Sequence, residues 1–235
     1  MITVGPYRFS ARDATSTVGA LDDLLDLYPP AAQGELDTLR RELRTIVEGG
    51  EPEAVIGEVF PRLLAARDAA GRGGTLPPTA TGTVAQLSVS DGGVPKAPVD
   101  RVEVDFGGVT TDRQGNRKHH GRPFQALCLW SAEIIDGLAA DGHPIFPGAA
   151  GENLTISGLD WPSLTMGTRL ATGSVVMQVT AFAVPCAHQR QWFTDGDFSR
   201  LHHDNGDISR LYATVIEPGS IATGDEVVVE APATT

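Results

Sequence analysis

The chain has 235 residues, 41% of them hydrophobic, with a net charge of −12 and a pI near 4.8. An acidic chain with no basic stripe is a poor nucleic-acid binder, and its charge suits a well-solvated surface. Two cysteines exclude a disulfide scaffold, no run approaches the ~18 apolar residues of a membrane span, and the first residues lack the basic and apolar regions of a secretory signal. The expected compartment is therefore a reducing cytoplasm, where a free thiol survives.

Residues 1–74 carry helical spacing. Val18, Leu21, Leu24, Leu25 and Tyr28 share one face, with Ser16 or Thr17 as N-cap and Pro29-Pro30 as the stop. Leu36, Leu39, Leu43, Ile46 and Val47 make a second stripe, closed by Gly49-Gly50. Val55, Ile56, Val59, Phe60, Leu63 and Leu64 make a third, in which Pro61 predicts a kink or a break. Charged residues fill the opposite faces, so the stripes are read as packing surfaces.

Residues 71–82 are rich in Gly, Pro and Thr and lack periodicity. Short β-type runs follow, near 82–89, 99–104, 124–130, 153–156, 168–171, 174–184, 211–217 and 225–230, with a helix starting at Ser131. The expected fold class is mainly β with peripheral helices (α+β). A helical extension (1–74) and a linker (75–82) precede a β-barrel domain (83–230).

Five segments of the β region join turn residues to functional side chains. Gly92-Gly93-Val94-Pro95-Lys96 is a shaped loop whose lysine can meet an anion. Residues Thr111 to Pro123 reverse the local charge of an acidic chain: Arg113, Arg117, Lys118, His119, His120 and Arg122 lie beside Asp112 and Gly121. Guanidinium groups there suit phosphate. Gly148 to Thr155 is a glycine loop feeding a strand, with Gly151, Glu152 and Asn153 at its end, and it matches neither a P-loop nor a dinucleotide fingerprint.

Cys186 lies in Val184-Pro185-Cys186-Ala187-His188-Gln189-Arg190, after an apolar run from Val175. A thiolate there could ligate a soft metal, attack an electrophile or carry sulfur, with His188 and Arg190 near enough in sequence to favour it. Cys128, inside Ala126 to Trp130, reads as core, and His202-His203 with Cys186 has no zinc-signature spacing. The stretch Arg210 to Val227 reads as a strand, turns and a closing strand.

In this order, the segments GGVPK (92–96), TDRQGNRKHHGRP (111–123), QALCLW (125–130), GENLTISGLD (151–160), VPCAHQR (184–190) and RLYATVIEPGSIATGDEV (210–227) resemble the MOSC domain. That family is named for the C-terminal domain of molybdenum cofactor sulfurases, and the likeness is nearest to its stand-alone bacterial members. It spans about residues 82–230 and leaves out the helical extension. The resemblance implies a β-barrel with a pocket for the molybdenum cofactor, a metal held by a phosphate-bearing pterin dithiolene (molybdopterin). It implies Cys186 as catalytic residue and metal ligand. Lys96, Asp112, Arg113, His120 (or His119), Gly121, Arg122, Gly151, Glu152, Asn153 and Arg190 would serve the cofactor. It further implies reduction of N-hydroxylated compounds. The partners would be a small-molecule substrate, a separate electron-transfer protein, with neither membrane nor nucleic acid, and a second copy in a homodimer. A sulfur carrier using a Cys186 persulfide, or a metal-free interaction module, remain the alternatives.

Overall fold

The computed structural model describes residues 1–27, 35–70, 80–115 and 121–230, with backbone alone for Glu35, Leu36 and Ala70. Tyr28, Pro29-Pro30, most of the linker and residues 116–120 lie outside the described residues. The chain opens on a hairpin, β1 (Ile2–Val4) and β2 (Tyr7–Phe9), that its short runs did not disclose. Helix α1 (Ala14–Leu24) starts earlier than expected, with Asp13 at the N-cap position. Ser16 and Thr17 therefore sit in its first turn instead of capping it. Their hydroxyls have other partners: Ser16 donates to the Asp13 carbonyl, and Thr17 accepts from Arg122.

Helix α2 (Glu35–Gly49) and helix α3 (Pro52–Ala70) bury Leu43, Val55, Ile56, Val59, Phe60 and Leu63. Helix α3 runs through Pro61 without the expected break. Proline cannot donate to the carbonyl of Gly57, but Gly57 is exposed, so water can take that carbonyl.

The β region begins at β3 (Ala80–Val89) and β4 (Ala97–Val99), followed by β5 (Arg101–Asp105) and β6 (Gly108–Val109). Strand β7 (Leu127–Ser131) leads into helix α4 (Ala132–Ala140), and Ser131 caps that helix by accepting from Ile134 N–H. Then come β8 (Leu154–Ser157), β9 (Arg169–Thr172), β10 (Val175–Phe182), β11 (Leu211–Glu217), β12 (Gly219–Ala222) and β13 (Glu226–Glu230).

Seven strands close a barrel in the order β3-β13-β9-β10-β11-β7-β8 and back to β3. Closure removes the edges an open sheet would present. Strands β7 and β8 pair in parallel and the other ring pairs are antiparallel. Strand β4 extends β3, while β12, β5 and β6 form a small separate sheet.

Leu127, Leu129, Leu154, Val179, Leu211 and Ala213 belong to the barrel core. A second core joins Phe9, Leu21, Leu43 and Phe60 of the N-terminal region to Phe124, Cys128, Ala181 and Tyr212 of the barrel. The N-terminal helices thus pack on the barrel wall. Arg67, fully buried, reinforces the join by donating to the carbonyls of Leu24 and Leu27 at the end of α1 and of Thr180 in β10. No helix among the described residues is long and apolar enough to cross a membrane.

Candidate functional site

Leu129 of β7 pairs with both Leu211 of β11 and Leu154 of β8. That register brings the residues beside them together: Cys128 faces Tyr212, and Asn153 and Arg210 stand just ahead of their strands. A cavity of about 490 Å³ opens over this point, within the roughly 300–1,000 Å³ typical of small-molecule and cofactor sites. Its wall includes Lys96, Gly151, Asn153, Cys186, Gln189 and Arg210, with Cys128 and Tyr212 among the remaining groups.

Two glycine loops form one side. Lys96 N–H donates to the Gly148 carbonyl at 2.9 Å, and at Gly148 (φ +90°) a Cβ would lie 2.5 Å from the Lys96 carbonyl. Only glycine tolerates that approach and that backbone. Lys96 forms an ion pair with Asp112, and both side chains are nearly enclosed, at 9% and 3% exposure. Asp112 also accepts from Ser90 N–H at 2.8 Å and from Asn153 Nδ2 at 3.0 Å. Asn153 is fixed in turn, its Oδ1 accepting from Cys128 N–H at 3.2 Å. Asp112 is thus the fastening behind the cavity wall, while Lys96 and Asn153 face the cavity.

Cys186 follows the end of β10 and is exposed on the cavity. The Gln189 N–H donates to the Cys186 carbonyl at 2.9 Å, and the Cys186 N–H donates to Gln189 Oε1 at 3.1 Å. Gln189 is buried and donates through Nε2 to the Ala150 carbonyl at 3.0 Å. Arg210 Nη1 donates to that same carbonyl, so one backbone oxygen links the Cys186 turn to the far wall.

The predicted residues separate into those the fold gathers and those it does not. Lys96, Arg113, Gly151, Asn153 and Cys186 line the cavity, and Asp112 backs it. Arg113 stands at the rim, paired to exposed Asp91 at 3.3 Å. His120, like His119, lies outside the described residues. Gly121 is not in the wall; at φ +81° it lets the chain pass over Gln114, whose Oε1 a Cβ would strike.

Arg122 does not reach the cavity. It is 8% exposed and donates to Thr17 Oγ1, to the Ser16 carbonyl and hydroxyl, and to Gln125 Oε1. The acceptors offered by α1 draw it away from the cavity. Glu152 is fully buried behind the wall, accepting from Gly148 N–H and Thr155 through Oε1, while Oε2 has no partner among the described residues. Burial pushes its carboxyl above the usual range, against the pull of Gly148 N–H and of Arg210. Arg190 turns outward, its guanidinium 5.7 Å from the centre of the Phe198 ring.

Three cavity groups escaped the sequence reading. Cys128 looked like core because β7 is buried along its whole length; its thiol lies 3.9 Å from Arg210 Nη1, and burial pushes its pKa up. Arg210 and Tyr212 were taken as parts of a closing strand. Burial also raises the Tyr212 hydroxyl, with the Cys128 thiol nearby adding to the shift.

Among the described residues, three metal-type side chains come together at His202, His203 and Asp204, and Cys186 is not among them. The two imidazoles stack with centroids 4.4 Å apart and planes 24° apart, and His203 stacks on Phe182 as well. Each of the three offers one ligand atom, and these atoms lie within 4.8 Å of one another.

The comparisons agree with this architecture. Residues 116–228 match the MOSC domain. YiiM of Escherichia coli K12 is 30% identical over 123 residues, 49% of this chain and 53% of that protein. The uncharacterized protein YflK of Bacillus subtilis 168 is 27% identical over 114 residues, 48% and 51% of the two chains. The chain thus spans about half the length of these curated relatives. The crystal structure of YuaD from Bacillus subtilis aligns with a TM-score of 0.54 at 22% identity, over 64% of this chain and 96% of that one. YiiM from Geobacillus stearothermophilus gives 0.51 at 24%, over 65% and 76%. Motif order and family match converge: through residues 116–228 the chain belongs to the MOSC domain family, and it is similar in sequence to YiiM and shares its fold with YuaD.

Proposed function

We propose that the cavity binds a molybdopterin-type molybdenum cofactor, with Cys186 as the protein ligand to the metal, and that the protein reduces N-hydroxylated compounds with electrons from a separate protein. The observation that carries this reading is the sharing of one cavity by an exposed thiol and by Lys96, Asn153 and Arg210. The donor set fits the group. A thiolate is a soft ligand for such a metal, and amide and cationic groups suit a polar, phosphate-bearing pterin. A metal already held by a dithiolene would not need a cluster of protein ligands, so the lack of one at Cys186 among the described residues does not weigh against it.

When bound, the cofactor would supply the two-electron redox chemistry of the reduction. The chain's own residues do the rest. Gln189 holds the Cys186 backbone from both its N–H and its carbonyl, which sets where the thiol starts. Asp112 and Asn153 fix the opposite wall. His188, exposed at the cavity, is a side chain able to pass protons there.

The test is elemental analysis for molybdenum, tungsten and zinc on protein from a cofactor-competent host, with Cys186→Ala beside it. Near-stoichiometric molybdenum in the wild type, lost in the folded variant, supports the reading. Normal molybdenum in Cys186→Ala would sink the ligand assignment. The exposure of Cys186 also favours a second reading, a sulfur carrier that presents a persulfide to an acceptor enzyme. Its mark is a cyanide-labile sulfur on Cys186 in protein without molybdenum.

A further inference from the structure

Cations at the cavity are not equivalent. Lys96 is neutralised by Asp112, and Arg113 lies at the open rim against Asp91. Arg210 differs from both. It is 5% exposed and lines the cavity, and among the described residues no carboxylate comes within ion-pair distance of it. Among the described residues its only protein acceptors are the Ala150 carbonyl and the Cys128 thiol, both through Nη1, and none of them meets the buried Nε. Glu152, the acid on which its charge acts, is held toward the neutral form by burial. A guanidinium kept from water with so few acceptors is an incomplete arrangement, because a buried charge is costly until it is paired.

We propose that Arg210 is the anion-binding residue of the cavity, completed by a phosphate or similar oxyanion on the bound ligand. This deepens the cofactor reading by assigning the ligand's anionic end to Arg210 instead of to the Arg113–Arg122 loop. It rests on geometry that does not depend on the metal. Arg210 meets the anion with its remaining N–H groups while Nη1 stays on the Ala150 carbonyl. That carbonyl also receives Gln189, which orders Cys186. An anion at Arg210 is therefore read out, through one backbone oxygen, at the thiol turn on the opposite wall.

The experiment titrates inorganic phosphate into the full-length protein by calorimetry, comparing wild type with Arg210→Gln and with rim variant Arg113→Gln. Saturable binding should weaken at least about 10-fold in Arg210→Gln, the effect of losing a charge-assisted contact, and by much less in Arg113→Gln. Absent binding in the wild type, or equal binding in Arg210→Gln, overturns the proposal. Should Arg210→Gln fail to fold, Cys186→Ser protein keeps Arg210 and leaves Cys128 as the single thiol. Saturating phosphate should then slow alkylation of Cys128 several-fold, and an unchanged rate is a refutation. Molybdenum content stands apart from both readouts. Phosphate held by Arg210 in protein that never takes up molybdenum keeps the anion site and removes the cofactor. Molybdenum present with Arg210→Gln binding phosphate normally removes the anion site alone.

Discussion

Asp112→Asn should be among the most damaging single changes at the cavity, though Asp112 sits behind its wall. The carboxylate takes three donors: Lys96, Ser90 N–H and Asn153 Nδ2. Asparagine can still accept with one oxygen, but it presents an NH₂ where a donor must be met and leaves Lys96 charged and 9% exposed without its partner. Breaking a buried pair in this way costs about 3–5 kcal/mol. Lys96→Met should cost less, about 1.5–3 kcal/mol, because Asp112 keeps two donors and remains solvated by them. The double variant should then be milder than the sum by about 1–3 kcal/mol, since the worst term, the stranded lysine, is gone. Urea denaturation of the four proteins, with the slope checked for constancy, measures the cycle. A loss under 1 kcal/mol for Asp112→Asn, or strict additivity, refutes the view that this pair holds the wall together.

Two further outcomes follow from buried groups. The folded-state pKa of Glu152 is raised above its unfolded value of 4.5. The stability contributed by its protonated form is therefore fully present below that value and lost as pH rises through the raised one. Glu152→Gln should be stabilised relative to wild type above that window and gain nothing below it; a difference independent of pH would show that Glu152 is not the titrating group. Arg122→Ala should lower folding stability by about 1.5–3 kcal/mol, because Thr17, Ser16 and Gln125 lose a charged donor, and should leave phosphate affinity unchanged. A selective loss of phosphate binding would instead return Arg122 to the anion site.

Most of the barrel could be read from the chain because its strands obey period two or run continuously apolar between Gly, Pro and Asp. Helix α4 was legible from its cap: Ser131 accepts from Ile134 as a serine before an apolar run should. The cavity was legible where glycine restricts the backbone, at Gly148 to Asn153, and where Pro185 sets off Cys186. Arg122 was misleading because its acceptors on α1 lie 105 and 106 residues away, and charge patterning carries no trace of them. Cys128 was hidden for a different reason. Strand β7 is covered on both sides, and its sequence cannot tell a face that meets packing from a face that meets a cavity. The hairpin β1–β2 has strands of three residues, too short for alternation to register.

Cys128 and Tyr212 belong at once to the cavity lining and to the core shared with the N-terminal helices. The floor of the cavity is therefore a partition one side chain thick, with ligand space above it and Phe9, Phe60 and their neighbours beneath. The first seventy residues act as the foundation of that floor. A barrel transplanted without them would carry its cavity residues into water from below. A different helical module could replace this one only if positions 128 and 212 were refitted to it.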